Sequence, residues 1–355
     1  MPLGIPVVWS DRCLLHEPGG EVWIGVRIPG DEVPARAVAI RNALTEAGAP
    51  LVEAGDHDDE AVLAVHERAL VDFLRDAWPN WQTAGYPEDP GQDRVVPYIF
   101  PHPGLVAGLP PAVPTAVSAR TGRYAFDTMT PIGPGTWDAV RSAVDAALTA
   151  ADLVLEGAPA AYACIRPPGH HVTASAYGGS CYLNNAAIAA QYLRDRGMAT
   201  VAILDIDAHH GNGAQTIFWE RPDVFTGSVH VDPRAGWFPH FLGFGDEVGA
   251  GAGEGANLNL PLPSGSGDEE WLAAVERLTD AVRADALVVA LGVDAAESDP
   301  ESPLRVSEAG FREGGRRLGA LGLPTVLVQE GGYDLAALGG LVRAVLAGVE
   351  EGRTQ

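Results

Sequence analysis

The sequence contains little cysteine: only Cys13, Cys164 and Cys181 occur among 355 residues. Three cysteines form no even disulfide framework, and a chain of this length needs none, so we expect a reducing, cytoplasmic environment. The N-terminus lacks the basic segment, the apolar run and the small-residue cleavage site that are typical of a signal peptide. No apolar run reaches the roughly 18 residues of a membrane-spanning helix, so we expect no membrane partner.

Basic residues are also scarce. The chain has 23 lysines and arginines against 47 aspartates and glutamates, a formal net charge of −24. Such a charge repels the phosphate backbone, which argues against a nucleic acid partner, and it favours a cationic ligand. Solubility alone is the alternative explanation of the charge. Hydrophobic residues still make up 46% of the chain, enough for a large core, so a disordered chain is excluded.

Short apolar runs in the second half of the chain each end in a polar cluster. Such runs without alternation are typical of strands that are buried on both faces of a parallel sheet. Stretches that predict helices lie between them, at 184–198, 269–284 and 307–321. This order predicts an α/β fold with a central, mostly parallel sheet that is covered on both sides. The runs are AYACI before RPPGHH, ATVAIL before DIDAHHGNG, FTGSV before HVDP, ALVVAL before GVDAAESDP and TVLVQ before EGGY.

We predict one domain for the whole chain, 1–355, because α/β enzymes of this size commonly form a single core. The segment at about 86–135 differs from the rest, since it is rich in proline and glycine and shows little periodicity. A loop much longer than ~15 residues in a compact domain is usually functional or disordered. We predict an ordered insertion beside the mouth of the site. The alternative is a surface excursion without a role.

The polar clusters should meet at one edge of the sheet, because ligands of such sheets bind beyond the carboxyl ends of the strands. Asp205, Asp207 and His209 alternate, so in an extended backbone they face the same way, with neighbours roughly 6–7 Å apart. Asp207 and His209 could then share one ion that Asp205 does not reach, with Asp294 as the third ligand. Two carboxylates and one imidazole suit Zn²⁺ or another divalent ion and leave a position open for catalysis. Alone, each residue could be a cap, a turn residue or a core side chain.

Together these clusters resemble the arginase–deacetylase superfamily, in particular its histone deacetylase-like members and most closely the bacterial acetylpolyamine aminohydrolases. The resemblance implies the three-layer αβα arginase–deacetylase fold and a zinc-dependent deacetylase, with Fe²⁺ as the alternative metal. The matching stretches span roughly 161–334 and weaker similarity reaches the N-terminus. They are RPPGHH, GGSCYLNNAAIAAQYL, DIDAHHGNGAQTIF, VHVDP, FPHFLGFGDEVGAGAGEG, NLPLPSGSGD, LGVDAAESDP and QEGGYD.

The resemblance implies a catalytic role for five polar residues. His171 would be the general base and acid, with His170 beside it as an electrostatic partner. Asp205 would orient His170, Asn212 would hold His171, and Tyr333 would donate a hydrogen bond to the substrate carbonyl. Such groups suit amide hydrolysis, which needs a polarised carbonyl, an activated water and a proton for the leaving amine. A turn residue is the alternative for Asn212, and a core tyrosine for Tyr333.

The resemblance also implies bound cations besides the catalytic metal. A structural potassium ion would be held by the side chains of Asp205 and Ser228 and by the backbone carbonyls of Asp207, His209 and Val229. A second cation would bind carbonyls near Phe218, Arg221 and Val224. Arginase-type hydrolases, which hold two manganese ions, would place a carboxylate where this chain has Gly211. We therefore predict a single catalytic metal.

The walls of the substrate channel follow from the same resemblance. Phe238 would form one wall, with Gly179 and Ser180 among the residues that contact the substrate. Relatives usually carry an aromatic residue at the position of Ser180. We expect the serine to leave the channel wider or more polar on that side.

The chain departs from its polyamine-deacetylating relatives in the insertion. Those relatives carry acidic residues there that attract a distal ammonium group, whereas this chain has Ser118 and Met129. Asp127 lies close by and could substitute for them. The preferred amine therefore stays open at this point.

The sequence favours a deacetylase that releases acetate from a small, cationic N-acetylated amine, and an acetylpolyamine is our first hypothesis. One alternative is a deacylase of acetyl-lysine or of an N-acetylated natural-product intermediate. A second alternative is a non-catalytic protein that binds acetylated amines. The resemblance also implies a homodimer in which the insertion reaches the partner's site entrance.

Overall fold

A parallel β-sheet lies at the centre of the protein, whose computed structural model describes residues 2–110 and 112–354. The strands in these ranges are β1 (Val7–Trp9), β2 (Glu21–Trp23), β3 (Val26–Ile28), β4 (Leu51–Glu53), β5 (Ala160–Ala163), β6 (Val201–Asp205), β7 (Val224–Val231), β8 (Asn257–Leu262), β9 (Ala286–Leu291) and β10 (Thr325–Gln329). Strands β2 and β3 form a separate antiparallel hairpin. The others form one sheet in the order β4-β1-β5-β10-β9-β6-β7-β8, paired in parallel throughout.

Helices connect the strands along most of the chain. In the described ranges they are α1 (Ala35–Glu46), α2 (Glu60–Leu63), α3 (Arg68–Thr83), α4 (Pro103–Val106), α5 (Val117–Tyr124), α6 (Thr136–Leu155), α7 (Asn185–Asp195), α8 (Asn212–Phe218), α9 (Asp268–Ala281), α10 (Glu308–Ala320) and α11 (Leu338–Arg353). Short 3₁₀ turns lie at Asp11–Leu15, Pro233–Ala235 and Gly251–Gly253.

Alternate residues of the central strands face opposite sides of the sheet. In β10, Val326 and Val328 pack into one hydrophobic core, while Leu327 packs into the other. The first core also contains side chains of α3, α6 and α7, and the second contains side chains of α1, α9, α10 and α11. Helices therefore cover both faces of the sheet, which explains why the strands are apolar without alternation. The predicted three-layer α/β fold is confirmed.

The elements of the second half lie where the sequence predicts them. Strands β9 and β10 coincide with the predicted runs, and β5, β6 and β7 differ from them only at their ends. Helices α7 and α10 lie within the predicted helical stretches, and α9 begins one residue before its stretch. Two of them begin at side-chain caps, because Asn184 accepts a hydrogen bond from the N–H of Ala187 and Ser307 accepts one from the N–H of Gly310.

The Pro/Gly-rich segment at about 86–135 contains the short helices α4 and α5, a bridge between Val95 and Ile132, and a bridge from Ala125 to Tyr177 outside the segment. Val95, Tyr124 and Ile132 are buried in the first core, which attaches the segment to the body of the protein. Its role as an insertion and the assignment of the whole chain to one domain stay predictions. Among the described helices, none is both long and apolar enough to cross a membrane.

Candidate active site

The polar clusters gather at the carboxyl edge of the sheet. Strand β6 ends at Asp205, which lies in register with Ser228 of β7 and with Ala290 of β9. Asp294 follows the end of β9 by three residues, and the EGGY segment follows β10 directly. Parallel neighbours end at the same edge, so clusters that are far apart in sequence meet there.

The three predicted metal ligands lie together. The Nδ1 atom of His209 is 3.2 Å from Oδ1 of Asp207 and 3.0 Å from Oδ2 of Asp294. Ligand atoms of all three residues lie within 4.8 Å of one another. Asp207 and Asp294 are fully buried, and His209 reaches the pocket surface. The carboxylates of Asp207 and Asp294 and the imidazole of His209 therefore surround one small space.

The backbone that carries these ligands is not extended, in contrast to the geometry assumed from the alternating pattern. Strand β6 ends at Asp205, and 207–209 form bends. Oδ1 of Asp205 accepts from the N–H of Asp207 at 3.0 Å, and Oδ1 of Asp207 accepts from the N–H of His209 at 2.8 Å. Carboxylates that bond backbone two residues ahead favour such turns. The turns, rather than strand alternation, direct Asp207 and His209 toward Asp294.

The buried carboxylates fit a divalent cation. Burial and the adjacent charge of Asp207 raise the pKa of Asp294 to about 8. Two carboxylates in an apolar interior repel each other, and buried charges are normally paired or coordinate a metal. Glycine allows their close approach, because a Cβ at Gly331 would lie 2.5 Å from oxygens of both aspartates. The donor set of two carboxylates and one imidazole suits Zn²⁺ or Fe²⁺.

The two histidines of RPPGHH stack beside the metal ligands, with ring centroids 4.0 Å apart. Nδ1 of His170 lies 2.8 Å from Oδ2 of Asp205. Nδ1 of His171 lies 2.6 Å from Oδ1 of Asn212, the first residue of α8. Asn212 in turn donates from Nδ2 to the carbonyl of His171 at 3.0 Å. The structure thus pairs each histidine with the partner that the family resemblance implies.

The two imidazoles have opposite electrostatic environments. Burial alone lowers the pKa of His170, but the carboxylates of Asp205 and Asp207 outweigh it and raise the pKa to about 10. Burial lowers the pKa of His171 well below its usual range, and the charges of His170 and His209 lower it further. His170 therefore stays charged and His171 stays neutral near pH 7. Because Oδ1 of Asn212 only accepts, Nδ1 of His171 carries the proton and Nε2 has the free lone pair.

Tyr333 lines the same pocket as His171 and His209. Its backbone N–H donates to Oδ2 of Asp299 at 2.6 Å, and the guanidinium of Arg36 lies 4.4 Å from the centre of its ring. Burial raises the pKa of the Tyr333 phenol well above its usual range, so the hydroxyl keeps its proton and can donate. Neither role was predicted from the sequence: Arg36 belongs to no recognisable motif, and Asp299 lies in the quoted stretch LGVDAAESDP without a role assigned to it.

The site opens into a pocket of about 410 Å³. Trp237 and Phe238 lie on one side, and the Phe238 ring is 4.8 Å from the His171 ring, edge to face. Trp23, from the hairpin of β2 and β3, lines the pocket as well. Aromatic side chains and a few convergent polar groups are typical of a small-molecule site.

Gly179 and Ser180 both lie in the pocket wall in the left-handed backbone region, at φ of +61° and 59°. A Cβ at Gly179 would lie 2.3 Å from Cδ2 of His171, so only glycine lets the wall approach the imidazole this closely. Ser180 donates its N–H to Oγ1 of Thr130 at 2.9 Å. These contacts place both residues where the sequence analysis expects substrate contacts.

The structure does not place Asp127 on the described pocket wall, although the sequence suggested it as a substitute for the missing acidic residues. Its Oδ2 accepts from the N–H of Gly179, and its Oδ1 accepts from the N–H of Met129 at 2.9 Å and from Oγ1 of Thr130 at 3.0 Å. The carboxylate thus supports the wall, because both of its oxygens accept hydrogen bonds from residues of the wall or next to it. Met129 itself lines the pocket, whereas Ser118 is hydrogen-bonded to the hydroxyl of Tyr86 at 2.8 Å.

Acidic residues from other parts of the chain do line the pocket. They are Glu21 of β2, Asp31 before α1, and Glu301 after β9. Burial and the charge of Glu301 raise the pKa of Glu21 to about 8. Burial and the hydrogen bond with Asp31 raise the pKa of Glu301 as well. The sequence analysis missed all three, since single carboxylates in three distant segments form no motif.

The residues of the implied potassium site lie behind the metal ligands. Ser228 is in register with Asp205, and its Oγ lies 2.8 Å from Nδ1 of His230. Val229 follows within β7, and the second set of residues lies where α8 turns into β7, at Phe218, Arg221 and Val224. Occupancy of both sites by cations stays a prediction.

The protein belongs to the histone deacetylase family, because the histone deacetylase domain matches residues 31–349 of the chain. This class of proteins agrees with the parallel sheet and with the cluster of aspartates and histidines at its carboxyl edge.

Individual relatives are similar over nearly the whole chain. The acetylpolyamine amidohydrolase of Mycoplana ramosa is 41% identical over 350 residues, which cover 97% of this chain and 99% of that protein. Acetylpolyamine amidohydrolase 1 of Pseudomonas aeruginosa is 42% identical over 347 residues, 97% of this chain and 98% of that protein. The crystal structure of acetylpolyamine aminohydrolase from Burkholderia pseudomallei superimposes with a TM-score of 0.92 at 40% identity, covering 98% of this chain and 99% of that one.

Proposed function

We propose that the protein is a zinc-dependent deacetylase that hydrolyses an N-acetylated polyamine to acetate and the free amine. The observation that carries the proposal is the shared pocket, which brings the ligand set of Asp207, His209 and Asp294 together with His171 and Tyr333. The names of the similar amidohydrolases point to the same substrate class. Fe²⁺ is the alternative metal, and K⁺ would have a structural role.

The chain's own residues can carry the proton transfers of amide hydrolysis. Asp207, His209 and Asp294 would hold the divalent cation, which when bound supplies Lewis-acid polarisation and acidifies water. Nε2 of His171 takes a proton from the attacking water and later gives one to the leaving amine. Asn212 holds the required tautomer through Nδ1. The Tyr333 hydroxyl donates to the carbonyl oxygen, where negative charge develops.

The acidic side of the pocket supports a cationic substrate. Burial and the neighbouring carboxylates raise the pKa values of Glu21 and Glu301, so a negative charge on either side chain lacks compensation in this wall. An ammonium group bound among Glu21, Asp31 and Glu301 would supply this compensation and favour their ionised forms. These carboxylates would therefore replace the acidic residues that the insertion lacks at Ser118 and Met129. The net charge of −24 adds long-range attraction for the same ligand.

Metal removal and a substrate panel test the proposed function. Protein stripped by a chelator and reloaded with Zn²⁺ should release acetate from acetylated putrescine, cadaverine or spermidine, and the stripped protein should not. Asp294→Asn should bind far less metal and lose this activity, because one charged ligand is gone. Stronger hydrolysis of acetyl-lysine would favour the deacylase alternative. Absence of hydrolysis with every acetamide after metal loading would favour a non-catalytic binding protein.

The acidic pocket wall makes a prediction about substrate charge. The double variant Glu21→Gln/Glu301→Gln should raise KM for N-acetylputrescine about tenfold or more, since a partly buried ion pair contributes on the order of 1–2 kcal/mol. KM for neutral N-acetylpentylamine, which has a methyl group in place of the ammonium, should fall or stay the same. Glu156→Gln is the control, because Glu156 follows α6 at the opposite edge of the sheet. Equal changes with both substrates would contradict the assignment.

We also propose that the protein is a cytoplasmic homodimer. Exposed apolar side chains support an interface near the insertion and the β2–β3 hairpin: Ile24 is 83% exposed, Tyr98 73%, Leu109 66% and Phe241 90%. Large exposed apolar patches commonly mark protein interfaces. Light scattering should give twice the mass of one chain, and Ile24→Asp/Leu109→Asp should give a monomer. A monomeric wild-type protein at micromolar concentration would refute this proposal.

A further inference from the structure

A buried glutamate binds the backbone of the histidine pair, and a buried cysteine lies beside it. Oε2 of Glu330 accepts from the N–H of Gly169 at 2.6 Å and from the N–H of His170 at 3.1 Å. The sulfur of Cys181 lies within 4.8 Å of a carboxylate oxygen of Glu330 and of a ring nitrogen of His170. Glu330 and Cys181 are 1% and 0% exposed. Consecutive N–H groups that point the same way form a cradle for an anion, and here the anion is a side chain of the protein.

Packing alone does not explain a glutamate at this position. A buried carboxylate costs several kcal/mol unless hydrogen bonds compensate it. Oε1 of Glu330 has no hydrogen-bond partner among the described residues, so only one of the two carboxylate oxygens is hydrogen-bonded. Burial accordingly raises the pKa of Glu330 to about 7. A buried carboxyl group with one unpartnered oxygen is costly to keep, which indicates that the contacts of Oε2 have a purpose other than stability.

The position of Glu330 in the chain links two catalytic groups. Glu330 directly follows β10, and Tyr333 lies three residues further along. Arg36 fixes the segment between them, since it donates to the carbonyl of Glu330 and to the carbonyl of Gly332, each at 2.6 Å. The side chain of Glu330 thus ties the segment that carries Tyr333 to the segment that carries His170 and His171.

We propose that Glu330 is a positioning residue. It fixes the position of the His170–His171 pair relative to the metal ligands and to Tyr333. Cys181 packs beside this contact. The inference rests on the proposed function, in which His171 transfers the protons. Catalysis needs the imidazole within a fraction of an ångström of its working position, and a shift of about 1 Å costs on the order of 10²-fold in rate.

Three substitutions of Glu330 test separately whether the length of its side chain or its charge matters. Glu330→Gln keeps the length and an oxygen that can accept from both N–H groups, so kcat should stay within about threefold of wild type. Glu330→Asp keeps the charge but is one methylene too short to reach both groups. Glu330→Asp and Glu330→Ala should therefore lower kcat about 10²-fold with KM nearly unchanged. Metal content should equal that of the wild type in all three variants.

Val144→Ala is the matched control for lost stability, because Val144 is buried in α6 within the first core, away from the site. Its kcat should not change even though its melting temperature falls. Full kcat in Glu330→Asp together with a slow Glu330→Gln would overturn the proposal, since charge rather than reach would then matter. Unchanged kcat in Glu330→Ala would overturn it as well.

A second readout is independent of activity. In protein labelled with ¹⁵N-histidine, the Nδ1–H signal of His171, which is bonded to Asn212, should be retained in Glu330→Gln. It should shift or broaden in Glu330→Asp, since the backbone of the pair is released. Unchanged signals in Glu330→Asp would refute the positioning role. If the wild type hydrolyses no acetamide, the proposed function fails, and these signals still test whether Glu330 positions the histidines.

Discussion

Replacing His171 by alanine is expected to lower kcat by about 10³-fold, the middle of the range for the loss of a positioned general base and acid. Nε2 of His171 carries the free lone pair, and the low pKa of the imidazole keeps it unprotonated. The neighbouring imidazole in the pocket, that of His209, is one of the proposed metal ligands. Initial rates of acetate release at saturating substrate measure the effect, and metal analysis should show full occupancy.

His170→Ala is expected to have a smaller effect than His171→Ala. His170 is already bonded to Asp205 and charged, so it acts on its neighbour through its field and through ring contact rather than by transferring a proton. His57→Ala is the control, since His57 bonds Asp152 in α6 and should leave kcat unchanged. A larger loss in His170→Ala than in His171→Ala would reverse the two assignments.

The sequence could predict the parts of the site that lie directly after strands. The runs that became β9 and β10 are long enough and apolar enough to be recognised, and their ends place Asp294 and Tyr333 at the sheet edge. Strands β1 and β4 were not predicted, because three residues are too few to show a pattern. The order of the strands was not predicted either, since it depends on contacts between distant segments rather than on local propensity.

The substrate side of the pocket could not be predicted for the same reason. Glu21, Asp31 and Glu301 come from three segments that only tertiary packing brings together. Asp127 is the opposite case, because its proximity in sequence to Met129 suggested a role in the pocket, but it is not among the residues of the described pocket wall. Its hydrogen bonds turn the carboxylate toward the backbone of Gly179 instead. Side-chain direction in a loop depends on which backbone N–H groups are within reach, and the sequence alone does not reveal them.

Tyr333→Phe is expected to lower kcat by about 10²–10³-fold, since removal of one preorganised donor to a developing oxyanion typically costs this much. The substitution keeps the ring, so the contact with the guanidinium of Arg36 at 4.4 Å should persist. The hydrogen bond from the backbone N–H of Tyr333 to Asp299 does not involve the tyrosine side chain and should persist too. KM and metal content should therefore change little, because the hydroxyl acts mainly when charge develops in the transition state.

Tyr192→Phe supplies the control for loss of a phenol hydroxyl, because Tyr192 lies on α7 and its hydroxyl donates to Asp152, outside the pocket. Its kcat should equal that of the wild type. Full kcat in Tyr333→Phe would remove the donor role, and the only remaining hydroxyl on the described pocket wall, that of Ser180, would then have to be tested. A loss of metal in Tyr333→Phe would instead show that the ring supports the ligand cluster. The combination of low kcat, unchanged KM and full metal content is the one that hydrogen-bond donation to the oxyanion predicts.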